Sequence, residues 1–225
     1  MALSMMNTLP ASTTWDDPLV LLPRRKPQSY EKDRTIYAPE DRADSLFLVV
    51  NGTVKLSRIS DGGRETVLDF CPQDAFFGES SLMGRAYRGE MAVALEDSAV
   101  MEWPADELVR IMLRTPELGP SLLRVLATKL FEADSRIESL AIDQISQRLV
   151  RALLRLAERF GETNGGSAKV RLMPITHELL AKYVGTSREI VTQHMSQLRR
   201  KGVLDYSRAG IEFDPVELKK ALRSR

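Results

Sequence analysis

The 225 residues carry 32 Lys+Arg and 31 Asp+Glu, and the net charge of +1 conceals a split: residues 1–143 hold 16 basic and 23 acidic side chains (−7), residues 144–225 hold 16 and 8 (+8). Such asymmetry fits a C-terminal part that meets a polyanion, the plainer alternative being chance segregation of surface charge. With 43% hydrophobic and 28% charged residues the chain buries one or two cores, and no apolar run nears the ~20 residues that cross a bilayer, so we expect a cytoplasmic protein away from membranes. A single cysteine, Cys71, excludes an internal disulfide framework and a four-thiolate cluster, and two histidines, His177 and His194, leave a haem or metal pocket almost nothing to build from. No metal, haem or iron–sulfur centre is expected.

Residues 1–17 are polar and aperiodic and read as a mobile tail. A first domain occupies 18–115, and from 35 to 103 short apolar segments alternate with turn residues, the spacing of an all-β unit. Residues 45–50 form an apolar strand ended by Asn51-Gly52, a two-residue hairpin signal because both positions tolerate positive φ. The strand at 53–59 turns through Asp61-Gly62-Gly63 into 65–70, and further strands at 90–95 and 99–103 complete a β barrel or roll. A lone cysteine after Asp69-Phe70 reads as a small buried apolar residue, with a thiol redox switch as the alternative.

Beyond Pro104 the period becomes helical. Pro116 and Pro120 suit a first helical turn, and Leu123, Leu126, Leu130, Ala133, Ile137 and Leu140 then recur at steps of three and four, a heptad seam within a helix at 116–143. Two copies joined along this seam are expected, against the alternative of an amphipathic helix packed on its own barrel. The last domain, 144–225, opens with an amphipathic helix at 147–160 that places Leu149, Leu153, Leu156 and Phe160 on one face, followed by a loose loop at 161–166. Short helices at 176–184 and 187–199 flank Gly185-Thr186, a ribbon pairs 203–206 with 211–213, and Asp214-Pro215 caps a terminal helix reaching Leu222.

Two helices around a glycine turn are the unit that sets a second helix in the DNA major groove. In the first, Leu179, Leu180 and Val184 face the core; in the second, Ile190, Met195 and Leu198 do, which leaves Arg188, Glu189, Thr192, Gln193 and Gln197 exposed. Arg suits guanine, Glu cytosine and Gln adenine, while Arg199, Arg200 and Lys201 are placed for phosphates. Thr176, Thr186 and Ser187, at the helix starts, complete the DNA-binding set. Thr186 and Glu189 also fit a capping box, a structural role that competes with base contact at Glu189.

The segment 175–198, ITHELLAKYVGTSREIVTQHMSQL, with its core Val184-Gly185-Thr186-Ser187-Arg188-Glu189, resembles the helix-turn-helix of the Crp/Fnr family, and the resemblance extends over roughly residues 19–222. It implies an α+β chain: an N-terminal cyclic-nucleotide-binding-type β-roll, a long dimerisation helix and a C-terminal winged helix-turn-helix. It also implies a homodimeric transcription regulator that binds a palindromic duplex DNA site and works with RNA polymerase. Where the family often has a third base-reading arginine, this chain has Gln193.

In the β domain, 74–79 (DAFFGE) precedes Arg88 by nine residues. Glycine admits close backbone approach to a phosphate, a glutamate accepts from a ribose hydroxyl, and arginine forks onto phosphate oxygens, although a turn glycine among surface charges reads the same way. Within the family this resembles the phosphate-binding cassette, with Gly78 and Glu79 on the ribose side, Arg88 on the phosphate, and Ser80, Gly89 and Asp134 completing the effector set. Two positions depart from the pattern of cyclic-AMP responders: Gly89-Glu90 follows the arginine, and Ala133-Asp134 stands where the helix carries a Thr-Ser pair, with Ser135 one place away. Cyclic AMP, another nucleotide such as a cyclic dinucleotide, or no effector all remain open. No Ser/His/Asp, Cys/His or metal-ligand spacing is present, so an enzyme is not expected.

Overall fold

The computed structural model describes residues 17–163 and 168–222. Of the expected tail only Asp17 falls among them, and part of the expected 161–166 loop lies outside them. Asp17 caps a short helix, α1 (Pro18–Leu21), by accepting from the Leu19 amide at 2.9 Å. The roll follows as β1 (Gln28–Tyr30), β2 (Thr35–Tyr37), β3 (Ser45–Asn51), β4 (Val54–Ile59), β5 (Glu65–Cys71), β6 (Phe76–Phe77), a 3-10 turn at Glu79–Met83, β7 (Met91–Ala94) and β8 (Ser98–Pro104). Two antiparallel sheets, ordered β1-β8-β3-β6 and β2-β7-β4-β5, enclose Tyr37, Phe47, Val49, Val54, Leu56, Cys71 and Phe77.

Because successive side chains of a strand point to opposite faces, the unbroken apolar run of β3 implies two buried faces. Phe47 and Val49 enter the roll, while Leu46 and Leu48 join Leu22, Trp103, Leu108, Leu118 and Leu122 in a second core beneath the helices. The expected hairpin at Asn51-Gly52 does not form: β3 pairs with β8 and β6, and β4 lies in the other sheet. Gly52 (φ +85°) instead carries the chain between sheets, where a Cβ would sit 2.4 Å from Ser98 Oγ. Long-range pairing with β8 overrode a correct local turn signal. The Asp61-Gly62-Gly63 turn does join β4 to β5 as a hairpin.

After α2 (Ala105–Arg114), helix α3 runs from Leu118 to Ile142, about 37 Å at 1.5 Å per residue. Its first turns bury Leu118, Ser121 and Leu122; beyond them Leu123, Leu130, Ala133, Ile137 and Leu140 are exposed and Leu126 half-buried, with Phe131 and Ile142 exposed beside them. Helix α4 (Ile145–Phe160) begins in a capping box in which the Gln144 amide donates to Gln147 Oε1 at 3.0 Å. Then come β9 (Glu162–Thr163), β10 (Val170–Leu172), α5 (His177–Val184), α6 (Arg188–Arg200), β11 (Leu204–Ser207), β12 (Gly210–Phe213) and α7 (Pro215–Lys220), the strands ordered β11-β12-β10-β9. Thus part of the expected loop, Glu162–Thr163, is a strand paired with β10.

The core of this last domain joins Leu149, Leu153, Leu156, Leu180, Val191, Met195 and Phe213, and it continues across the domain boundary into Val67 and Phe70 of β5. Phe70 meets Tyr183 of α5 at 5.0 Å and Phe160 of α4 edge-on at 6.5 Å. The roll is therefore one wall of the helix-turn-helix core.

Candidate nucleic-acid interface and effector cassette

Thr176 caps α5 by accepting from the Leu179 amide at 3.1 Å, and Gly185 (φ +78°) ends it, its amide and that of Thr186 both donating to Ala181 O. The expected Thr186–Glu189 capping box is not formed. Ser187 is the N-cap of α6 and accepts from the Ile190 amide at 3.4 Å, one residue later than read from spacing, because Thr186 still belongs to the C-terminal turn of α5. The carboxylate of Glu189 accepts from its own amide and from the Ser187 hydroxyl, which holds its pKa below the ordinary value. On α6 Met195 is buried and half-buried Leu198 packs against the core as expected, but the remaining core position is Val191 instead of Ile190, which is half-buried.

Arg188, Glu189, Thr192, Gln193 and Gln197 are all exposed, as are Arg200 and Lys201. Two of the expected contacts are committed within the domain. The Thr192 hydroxyl donates to Arg188 O at 2.8 Å and lies 3.0 Å from His177 Nδ1; Arg199 pairs with Asp205 at 2.8 Å and stands 5.1 Å over the Tyr206 ring. His177 was missing from the expected set, since a lone histidine at a helix start gives no sign of a partner fifteen residues on.

The cassette is built differently. Arg88 is only 4% exposed: Nη1 donates to Gly78 O at 2.9 Å and to Ser80 Oγ at 3.3 Å, and Nη2 to Ser45 O at 2.7 Å. Its guanidinium lies 4.5 Å from the Tyr37 ring centre and 5.3 Å from that of Phe47. Gly78 (φ +82°) permits this approach, for a Cβ there would sit 2.9 Å from Phe47 and 3.0 Å from Arg88 Nη1. Of the three Arg88 guanidinium nitrogens, Nε has no hydrogen-bond partner among the described residues.

Glu79 forms an ion pair with Lys129 of α3, whose Nζ also donates to Phe76 O at 2.6 Å. Burial alone lowers the Lys129 pKa, but Glu79 outweighs it and the net shift is upward, so the ammonium stays charged. Glu90 accepts from the Tyr37 hydroxyl at 3.0 Å, and burial followed by this carboxylate raises the Tyr37 pKa. Gly89 O accepts from Arg58 Nε at 2.8 Å. Asp134 is exposed on α3, and the Ser135 hydroxyl donates to Phe131 O of its own helix at 3.0 Å. Cys71 is fully buried and its thiol is pushed up to about 12, which keeps it protonated.

Between cassette and helix-turn-helix stands Arg136, unanticipated from sequence because its partners lie far along the chain. It donates to Leu68 O and Val67 O of β5 and to Tyr183 O of α5, and its guanidinium lies 4.4 Å from the Tyr183 ring centre. Lys182 reaches Glu65 at 2.9 Å and Arg159 reaches Asp69 at 2.5 Å across the same junction. A cavity of about 390 Å³, lined by Leu68, Lys129, Ala133, Arg136, Arg155 and Tyr183, opens there. Among the described residues no cluster of potential metal ligands occurs, and no helix is long and apolar enough to cross a membrane.

Comparison with known proteins agrees with both halves of this architecture. Residues 27–115 match the cyclic nucleotide-binding domain family and 147–221 the Crp-like helix-turn-helix domain family. The cyclic AMP receptor protein of Thermus thermophilus is 30% identical over 189 residues, 84% of either chain. A CRP-like cAMP-activated global transcriptional regulator of Mycobacterium tuberculosis is 29% identical over 177 residues, 79% of either chain. The crystal structure of a CRP/FNR-family transcriptional regulator from Thermus thermophilus is 30% identical and superposes with a TM-score of 0.68 over 89% of this chain and 100% of that one. With the roll, the long helix and the helix-turn-helix all accounted for, the chain belongs to the CRP/FNR family of transcription regulators.

Proposed function

We propose that the protein is a homodimeric regulator that binds a palindromic DNA site with one α6 from each copy and acts with RNA polymerase in the cytoplasm, by binding rather than catalysis. The observation that carries this reading is the capped, exposed α6, which displays Arg188, Glu189, Gln193 and Gln197 beside the basic Arg200 and Lys201. To the same contact set belong Thr176, Thr186 and Ser187, of which Thr176 and Ser187 also cap α5 and α6 through their hydroxyls. The seam of α3 supports pairing: Leu123, Leu130 and Ile137 are 66%, 63% and 64% exposed, apolar surface that a second α3 would cover. A gel shift with a randomised duplex library tests the reading. Salt-sensitive binding that enriches a two-fold symmetric site is expected; salt-sensitive binding without enrichment would leave a nonspecific polyanion binder.

The matched cyclic nucleotide-binding domain and the cAMP-activated relative support a nucleotide in the roll, near Gly78, Glu79, Ser80, Arg88 and Gly89, where it would bias a two-state equilibrium through α3. A specific observation favours a second reading. Lys129 of α3 holds Glu79, and Arg88 holds carbonyls of its own domain, so the link between cassette and dimer helix is made by the chain itself. On that reading DNA binding needs no added nucleotide. A thermal-shift panel of cyclic AMP, cyclic dinucleotides and buffer separates the two: an unchanged melting point is expected of the self-linked cassette, and a rise with one nucleotide identifies the effector.

A further inference from the structure

Helix α6 touches its own domain core through Val191 and Met195, so its roll about its axis depends on what holds its flank. One stripe carries Thr192, Ser196 and Arg199, and each meets a residue from another element. The Thr192 hydroxyl has one proton, and Arg188 O, a carbonyl, accepts it at 2.8 Å; the 3.0 Å contact with His177 is therefore donated by Nδ1–H of the imidazole. Across the ring, His177 meets Tyr206 edge-on at 5.0 Å. The Tyr206 hydroxyl lies 3.5 Å from Ser196 Oγ, and Arg199 stacks on the same ring while paired with Asp205. His177 comes from α5 and Asp205 and Tyr206 from β11, so two elements hold this stripe together. The adjacent stripe, Glu189, Gln193 and Gln197, is exposed. Burial, and then the charge of Arg188, hold the His177 pKa below its ordinary 6.5, so at neutral pH the ring brings no charge to a phosphate.

We propose that His177 is a specificity-determining positioning residue: through Thr192 it fixes the roll of α6 and hence which base edges Glu189, Gln193 and Gln197 meet, without contacting DNA itself. The inference rests on the DNA-reading role of α6 proposed above.

The test compares the full-length protein with Thr192→Val, His177→Ala, His177→Asn and the Thr192→Val/His177→Ala double variant on randomised half-sites and on nonspecific duplex. Thr192→Val and His177→Ala are expected to redistribute base preference in the same way and to lower the ratio of specific to nonspecific affinity about three- to tenfold. The double variant falls no further than either single one, because both remove one interaction. Asn, which keeps a donor near Nδ1, restores most of the ratio. Equal losses on specific and nonspecific DNA would make His177 a phosphate contact, and additive losses or an unchanged profile would also overturn the proposal. Should His177→Ala fail to fold, Thr192→Val decides, since it is near-isosteric and exposed. If the wild-type protein enriches no site, it is the DNA-reading role that fails; a wild-type site whose profile Thr192→Val leaves intact refutes the positioning role alone.

Discussion

The cassette and helix α6 carry the same kinds of side chain, arginine, glutamate and hydroxyl, and commit them in opposite ways. Around Gly78 the fold turns them inward: Arg88 is buried against three oxygens of the protein, and Glu79 is paired with Lys129. On α6, Arg188, Glu189, Gln193 and Gln197 face solvent, with the clamp confined to the neighbouring stripe of Thr192 and Arg199. Residue type and spacing identify the chemistry a side chain offers; only the fold decides whether a partner within the chain already takes it. The two regions should therefore respond to substitution in different currencies, stability for the cassette and DNA affinity for the helix.

The largest effect is expected at Arg88. Arg88→Ala removes three hydrogen bonds and leaves buried carbonyls unmatched, which should lower stability by about 2–4 kcal/mol. Denaturant melts without any nucleotide measure it, and an unchanged midpoint would mean that Arg88 waits for a ligand instead of bracing the roll. Lys129→Met should cost about 1–3 kcal/mol by stranding Glu79 in a half-buried site, and it should weaken operator binding although Lys129 lies away from α6. Equal DNA affinity of this variant and wild type would sever the proposed link between cassette and helix. At the other region, Arg188→Ala should leave melting unchanged and cost about 1–3 kcal/mol of specific binding, confined to one base pair. Uniform loss across all sequences would assign it to phosphate.

The smallest effect lies at the junction. Burial raises the Glu65 pKa, but bonds from Lys55, Lys182 and Ser57 outweigh it and set it at about 2, below the ordinary 4.5. A folded-state value below the unfolded one adds stability above pH 4.5 that disappears as pH falls toward 2. Glu65→Gln should therefore melt earlier than wild type at pH 6 and almost together with it near the acid limit, whereas a constant gap would show that the carboxylate charge contributes nothing there.

Much of this plan is legible in the chain. The heptad steps of 123–140 mark the helix whose seam stays exposed, and Gly185 followed by Ser187 marks the turn between α5 and α6. Strands of two or three residues such as β1, β6 and β9 are too short to show a period, and the partner of β3 was set by β8, some fifty residues away, rather than by the turn beside it. Lys129, Arg136 and His177 read as ordinary helix residues, because their partners Glu79, Leu68 and Thr192 come near only through folding. Where site residues bond to sequence neighbours, as at Thr176 and Ser187, spacing came within one position; where they bond across domains, spacing carried no signal.

The contrast between a self-satisfied cassette and an exposed α6 proposed to read DNA is tested most directly by the affinity of the full-length protein for the site that a randomised library enriches, measured with no nucleotide and then with cyclic AMP or a cyclic dinucleotide. Tight, sequence-selective binding in buffer alone, unchanged by either addition, is the predicted result. Selective binding that emerges only with a nucleotide present would contradict it.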